Sequence, residues 1–319
     1  MKNILVTGCA GFIGSVTCEI LIEQGYVVTG IDNFSSSYER NVNKKMYFFK
    51  GKIGDKGLLE HIFSQANIEC VMNFAGESII GKSMTDPYLF FDTNVSQTLV
   101  LLEAMRKFKV KNLIHSSTAS TYGNKYTSKI CEDYFQEPIN SYGESKLILE
   151  KMIKWYQKAY GMNYVMFRYF NVGGATANHG EDRKEETRLL PTLIDKALRD
   201  EVLDIYGNDY ETRDGTAVRD YLHVVDVANA HILAMNKVNN EVYNLGSNDG
   251  FTINEIVECF EKEILGRKIK VNYCDRRPGD PPVLIASNKK AINQLGWDPI
   301  NSSLEQIIVD TWNWKTKNI

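Results

Sequence analysis

Nothing in this sequence points to a framework of disulfides or metal. Its six cysteines, at positions 9, 18, 70, 131, 259 and 274, form no C-x-x-C pair, and its five histidines show no ligand spacing. A reducing cytoplasmic compartment suits such usage, and each thiol reads as a small packing residue. His223 near Asp226 comes closest to a pair and reads as a satisfied structural histidine. Apolar runs stop at strand length, so none spans a bilayer. The apolar start before Gly8 is too short for a signal peptide and enters a glycine loop at once. Basic residues are not in excess: the net charge is -3 and the pI about 6.0, with no stripe to suit nucleic acid or a membrane surface. No internal repeat or low-complexity segment interrupts the chain. What is present is ordinary globular composition, 43% hydrophobic and 24% charged, over 319 residues. That length suits one large domain and a second lobe.

The first half alternates strands and helices. Ile4-Leu5-Val6 reads as a buried strand, followed by Thr7-Gly8-Cys9-Ala10-Gly11-Phe12-Ile13-Gly14, a helix from Ser15 to Gln24, and a second strand from Tyr26 to Ile31. Asp32 follows that strand. Glycines let a backbone approach a pyrophosphate, and a helix N-terminus favours its charge. Asp32 stands where a carboxylate accepts from a ribose diol and repels a 2′-phosphate, which favours NAD over NADP. Further strands are expected at 46–49, 70–74, 112–115 and 164–168, with helices at 58–63, from Pro87 to about Lys107, and around Tyr142. This alternation predicts an α/β fold with a doubly wound parallel sheet of Rossmann type. Ligands in such sheets bind beyond the carboxyl ends of the strands. Gly8, Asp32, Ala75, Ser116 to Thr118 and Tyr169-Phe170-Asn171 all stand at such ends.

Within Ser141-Tyr142-Gly143-Glu144-Ser145-Lys146, Tyr142 and Lys146 are four residues apart. On a helix they share one face. Unit charges about 4 Å apart in a partly buried site interact by roughly 4 kcal/mol, about three pKa units. A lysine so placed predicts a phenol acidic enough to act as a general base on a sugar or alcohol hydroxyl. Alone, Y-x-x-x-K is a common surface pair, and the surrounding motifs give it weight.

After Asn171 the texture changes. Residues 179–188 are charged and read as a surface loop, 189–198 as a helix, 204–210 as a short strand and turn, and 219–224 as a strand. A helix at 226–235 and a strand at 242–245 follow. Residues 276–282 read as a rigid proline-rich loop, and a final helix begins at Leu304. Residues 1–175 are thus expected to form a dinucleotide-binding domain. Residues 176–319 are expected to form mainly a smaller substrate lobe, with some segments returning to the first.

With these pieces in place, the chain resembles the extended short-chain dehydrogenases/reductases, and more closely the UDP-glucose 4-epimerase family. The resemblance covers nearly the whole length. It rests on TGCAGFIG (7–14), DNFSSS (32–37), NFAG (73–76), SSTASTYG (116–123), SYGESK (141–146), RYFNVGGA (168–175), YGNDYETRDGTAVRDYLHV (206–224) and RRPGDPP (276–282). It implies that NAD is held by Gly8, Gly11, Phe12, Ile13, Gly14, Asp32, Asn33, Phe34, Ser35, Ser36, Ile53, Phe74, Ala75, Gly76, Asn94, Ser116, Tyr142, Lys146, Tyr169 and Phe170. Tyr142 is implied as the base, with Lys146 beside it and Thr118 bonding the sugar hydroxyl. Asn171, Arg188, Leu189, Ile205, Tyr206, Arg219, Arg277 and Asp280 are implied to hold a UDP-sugar. For Arg219 and Arg277, a charge-assisted clamp on the pyrophosphate competes with ion pairing to Asp220 and Asp280.

The resemblance further implies oxidation at C4 to a 4-keto sugar, rotation, and reduction on the other face. A homodimer through the helix after Pro87 and the helix of Tyr142 is also implied. The chain departs from the family pattern at Cys9, Lys52, Ser78 and Arg188, and Leu284 stands where side-chain size helps choose the sugar. Rival expectations are an epimerase acting on UDP-N-acetylglucosamine, UDP-glucuronate or a UDP-pentose, a 4,6-dehydratase or decarboxylase, and a non-catalytic NAD sensor. Ala119 and Ser120 after Thr118 lack the carboxyl groups a dehydratase needs.

Overall fold

Apolar residues of the central strands divide by parity. Ile4 and Val6 face one layer of helices, and Leu5 faces the other. Cys70 and Met72 oppose Val71 in the same way, and Val165 and Phe167 oppose Tyr164 and Met166. Side chains alternate across a sheet, so a strand covered on both faces needs a continuous apolar run. The computed structural model describes residues 2–277 and 279–317. Met1 and Pro278, the latter part of the expected rigid loop, lie outside the described residues.

The strands in chain order are β1 (Asn3–Thr7), β2 (Val27–Asp32), β3 (Tyr47–Lys50), β4 (Ile68–Asn73), β5 (Asn112–Thr118), β6 (Asn163–Tyr169), β7 (Asn171–Gly173), β8 (Leu203–Tyr206), β9 (Val218–Arg219), β10 (Tyr221–His223), β11 (Glu241–Leu245), β12 (Phe251–Thr252), β13 (Val271–Cys274) and β14 (Val283–Leu284). The central sheet is parallel, in the order β11-β6-β5-β4-β1-β2-β3. Its winding reverses between β1 and β4, and a crevice opens at such a switch point. The helices are α1 (Phe12–Glu23), α2 (Lys56–Gln65), α3 (Ile80–Ser83), α4 (Pro87–Phe90), α5 (Gln97–Lys107), α6 (Ser141–Tyr160), α7 (Leu189–Leu198), α8 (Val224–Met235), α9 (Ile253–Phe260), α10 (Lys289–Leu295) and α11 (Leu304–Lys317). α1 and α8 cover one face of the sheet; α2, α5 and α6 cover the other. A separate core joins α7, β8, α9 and α11 through Leu193, Ile205, Ile256, Phe260 and Ile307. The expected doubly wound α/β sheet is therefore the observed one.

Three expectations change. The long helix from Pro87 is α4 and α5 joined by a π-helical stretch, Phe91–Ser96. Asn94 lies in that wider turn, buried, with its Nδ2 2.9 Å from Ser145 Oγ. The strand expected at 219–224 breaks at Asp220, whose carboxylate accepts from the Ser247 and Ala286 backbone N–H groups at 2.7 and 3.0 Å. The charged segment 179–188 is a strap rather than a surface loop. Glu19 of α1 accepts from Thr176 Oγ1 and Asn178 Nδ2, each at 2.5 Å, and meets His179 Nδ1 at 3.0 Å. Arg40 forks onto Asp182 with two bonds of 2.7 Å, and Lys184 N donates to Ser36 O at 3.0 Å. The strap thus ties the loop after β2 to the second half of the chain. Among elements the sequence reading omits, α9 carries a usable signal. Ile253, Ile256, Val257 and Phe260 recur at helical spacing behind a capping box of Thr252 and Glu255. The two-residue strands β9, β12 and β14 are too short to show any period.

Burial alone would raise the Glu19 carboxyl, but bonds from His179, Thr176 and Asn178 outweigh it and hold the group at about 2. A carboxyl depressed on folding stabilises above its unfolded pKa, and that stability is lost as pH falls through the folded value. The urea midpoint of the protein is therefore expected to drop as pH falls from about 4.5 towards about 2. Glu19→Gln should flatten that acid slope while leaving a lower midpoint at neutral pH.

Candidate active site

β5 and α6 meet along a seam of consecutive contacts. Tyr142, Lys146 and Glu150 succeed one another at intervals of four on one face of α6. Facing them are the last residues of β5. Lys146 Nζ donates to Ser116 O at 3.0 Å, and Ser117 Oγ donates to Glu150 Oε1 at 2.6 Å. The Thr118 hydroxyl counters the rise that burial gives the Tyr142 phenol. Because Thr118 Oγ1 accepts from Ser120 N at 3.1 Å, its own proton is free for that phenol. Local sequence starts the helix at this spot. Asn140 caps it by accepting from Gly143 N at 2.8 Å. Gly143 packs so close to the turn after β5 that an added Cβ would lie 2.5 Å from Ser120 O.

Glu150 is also bound from the next strand. Arg168 of β6 forks onto it at 2.9 and 2.7 Å, and both side chains are almost wholly buried. The remaining donors of Arg168 reach Tyr122 Oη at 2.6 Å and Glu132 O at 3.0 Å. A buried pair this fully satisfied holds its elements in one arrangement.

The seam forms one wall of a cleft of about 940 Å³ running across the carboxyl ends of the sheet. At one end lies the glycine loop. An added Cβ at Gly8 would stand 2.7 Å from Ala75 N, and one at Gly14 would stand 2.1 Å from Gly8 O. Gly8 also has φ +68°, which suits glycine. These contacts leave a bare backbone cradle at the start of α1. Asp32 follows at the end of β2, its carboxylate accepting from Ala10 N, Phe34 N and Ser37 Oγ at 3.0, 2.8 and 3.1 Å. Three of its roughly four acceptor positions are thereby used, leaving one towards the cleft. At the other end Arg219 Nη2 pairs with Asp280 at 3.0 Å, and the Arg277 guanidinium lies 3.9 Å over the Tyr206 ring. Asp220 is not an arginine partner; it faces the Ser247 and Ala286 backbone. Asn171 Oδ1 is buried without a hydrogen-bond partner, so it is available to a guest.

Of the residues singled out from sequence, all line this cleft except Phe34 and Asn94. Phe34 instead stacks on Phe48 with ring centroids 5.4 Å apart. Asn94 spends its amide on the Glu77 backbone, at 2.8 and 3.2 Å, and on Ser145. Lys52, Ser78 and Leu284, noted as departures, do line the cleft. Of the strap, the sequence reading names Arg188 but misses Glu181 and Arg183. Glu181 is buried and pairs with Arg183 and Arg188 at 3.3 and 3.1 Å, and all three line the cleft. The run of alternating charge at 181–188 was the available signal. Among the described residues no group of His, Cys, Asp or Glu could hold a metal ion.

The electrostatics also differ from expectation. Burial pushes the Tyr142 phenol up, and the opposing influences are the Thr118 hydroxyl and the charges of Arg188 and Arg183. The expected source, Lys146, has its charge turned to the Ser116 carbonyl, and burial draws it down to about 8. Desolvation of the phenol outweighs its cationic neighbours.

Residues 4–246 match the family model described as the NAD dependent epimerase/dehydratase family. A UDP-glucose 4-epimerase of Lacticaseibacillus casei is 42% identical across a 319-position alignment that covers 98% of this chain and 96% of that protein. The crystal structure of UDP-glucose 4-epimerase from Brucella ovis in complex with NAD superposes with a TM-score of 0.93 at 39% identity, covering 98% of both chains. That of UDP-glucose 4-epimerase from Bifidobacterium longum in complex with NAD+ and UDP gives 0.93 at 36% identity and 99% coverage of both.

Removing one partner of a buried ion pair strands the other charge, at a cost of about 3–5 kcal/mol. Glu150→Ala should therefore lower unfolding free energy by about that amount in urea titrations. Replacing Glu150 and Arg168 together with apolar residues should cost markedly less than the single change.

Proposed function

The chain belongs to the NAD dependent epimerase/dehydratase family, and from that premise we propose that it interconverts UDP-glucose and UDP-galactose through a 4-keto sugar. The observation that carries this reading is the seam. A phenol, a hydroxyl and an ammonium line one wall of a cleft that has a backbone cradle at one end and a two-arginine clamp at the other. The glycine approach at Gly8 and Gly14 and the acceptor at Asp32 fit a dinucleotide with a free ribose diol, which is NAD. Bound NAD would supply the acceptor, and then the donor, of the C4 hydride.

The chain's residues do the rest. Tyr142 takes the proton of the C4 hydroxyl and later returns it. Thr118 orients that hydroxyl and steadies the phenolate. Lys146, anchored on the Ser116 carbonyl, holds the nicotinamide end of the cofactor. Arg219 and Arg277 bind the pyrophosphate, with Asn171, Leu189, Tyr206 and Asp280 around the remainder of UDP. That remote handle keeps the keto sugar in place while its ring turns over, so binding energy spent on UDP serves a step elsewhere. Residues 1–175 carry the cofactor in this reading and residues 176–319 mainly the UDP-sugar, with α8 and β11 returned to the first unit.

Two assignments of setting complete the proposal. Tyr88, Leu99, Trp155 and Tyr160 are exposed on the neighbouring helical segments 87–107 and 141–160, a surface that suits a second copy of the chain. Unpaired cysteines at every described position suit a reducing cytoplasm. No helix among the described residues is long and apolar enough to cross a membrane.

Tyr142→Phe should abolish interconversion of UDP-glucose and UDP-galactose, followed by chromatography of the sugar nucleotides, while the protein keeps its NAD through gel filtration. Full turnover in that variant would refute the assignment. Arg219→Ala should raise KM for the UDP-sugar by roughly tenfold or more, the loss of one charge-assisted contact. Its retention of NAD should be unchanged. Sedimentation equilibrium tests the second copy: a dimer is expected, and Trp155→Glu should shift it towards monomer.

A further inference from the structure

The loop after β2 is held from two sides. Asp32 anchors its start, accepting from Phe34 N at 2.8 Å and from Ser37 Oγ at 3.1 Å. Phe34 has φ +58°, a left-handed conformation that a residue with a side chain keeps only where its surroundings impose it. Residues 33–38 belong to no helix or strand, so the shape of this stretch depends on the bonds it makes. Asn33, Ser35, Ser36 and Ser37 line the cleft here, beside Asp32 and the glycine loop.

The strap fastens the same loop from the second half of the chain. Lys184 uses both of its nitrogens. Its backbone N–H donates to the Ser36 carbonyl at 3.0 Å, and its ammonium donates to the Phe34 carbonyl at 2.5 Å. Asp182, on the same strap, takes the fork of Arg40. Asn41 is buried between the two. Its amide donates to the Asp182 carbonyl at 3.3 Å and to the carbonyl of Ala10, in the glycine loop, at 3.2 Å. These bonds join two stretches of the cleft wall, Asn33 to Ser37 and Glu181 to Arg188, that come from opposite halves of the chain. Arg40, Asp182 and Lys184 themselves do not line the cleft. Anything seated on the glycine loop and Asp32 therefore lies against a loop that is tied down from behind. An irregular loop held by a few side-chain bonds opens locally, and the free energy of that opening is set by those bonds.

We propose that Arg40, Asp182 and Lys184 are positioning residues for the cofactor: they latch the loop after β2 to the strap, and bound NAD leaves only when that latch is undone. This rests on the reading that the glycine loop and Asp32 hold NAD. A reaction that returns its hydride in every cycle loses nothing by keeping the cofactor shut in.

The test follows exchange of bound NAD for radiolabelled NAD in the purified holoenzyme, with no sugar present. Arg40→Ala should speed release by roughly fivefold, the effect of one partly exposed ion pair. Arg40→Ala combined with Lys184→Ala should speed it by roughly tenfold or more. Asp182→Ala should match Arg40→Ala, and the two together should be no faster than either, because each acts through the other. Both Arg40 and Lys184 are exposed, so their truncation leaves the core intact. Hydrogen exchange on the parent gives a second readout. The Lys184 amide, bonded to Ser36, should exchange roughly fivefold or more slowly with NAD bound than after NAD is stripped, since coupling between latch and cofactor is reciprocal. Amides of β11, at the opposite edge of the sheet, should not change, whereas a general stabilisation would slow them too. The proposal is overturned by parental release in Arg40→Ala with Lys184→Ala, by additive effects of Arg40→Ala and Asp182→Ala, or by a Lys184 amide indifferent to NAD. Failure of the cofactor reading would show separately, as a parent protein that carries no NAD through gel filtration, and would take this proposal with it.

Discussion

The buried fork of Arg168 on Glu150 is the contact on which the rest of the site leans. It joins β6 to α6, and Ser117 brings β5 into the same knot. Glu150 shares a helix face with Tyr142 and Lys146, so whatever fixes Glu150 also fixes the rotation of the face that carries the chemistry. An apolar contact there would permit small slips of the helix along the sheet. A charged pair so heavily hydrogen-bonded has one good geometry, and departure from it exposes a charge to a poor solvent.

Much of the first half was legible because its constraints are local. A strand covered on both faces needs an unbroken apolar run, a crossover helix needs an amphipathic one, and the turn between them needs glycine. Gly8 and Gly14 serve that turn because a Cβ at either would come within 3 Å of neighbouring backbone. The cleft was legible for the same reason, since the ends of parallel strands are where such sheets leave room. What escaped were features set by distant partners. Asn94 and Phe34 belong to the motif neighbourhood, yet one is drawn inward by a π-helical turn and the other stacks on Phe48. The segment at 179–188 looks like solvated loop from its charges. Glu19, Arg40 and Ser36, far away in sequence, convert it into part of the wall.

The charge balance at Tyr142 shows why spacing alone misjudges reactivity. Four residues of helix put the ammonium and the phenol on one face of α6. Burial acts on both groups, however, raising one and lowering the other, while the ammonium is turned to a carbonyl. The cations that do act on the phenol come from the strap, through Arg188 and Arg183. The acidity of the phenol thus depends on a segment whose own position depends on α1 and on the loop after β2. It is in this way linked to the glycine-loop end of the cleft.

The sheet's outermost strand, β11, is supplied by residues 241–245, long after the chain has left for the smaller lobe. It covers the edge of β6, whose backbone N–H and C=O groups would otherwise meet water or another molecule. A fragment ending before it would carry an unsealed, strongly apolar margin next to the very strand that holds Arg168. The two halves are consequently not interchangeable cassettes. A recombination event that swapped the second half would have to bring along its own sealing strand, in register, or produce a protein prone to stick to its neighbours. New sugar preferences in this architecture are more readily reached by point changes in the cleft wall than by exchange of modules.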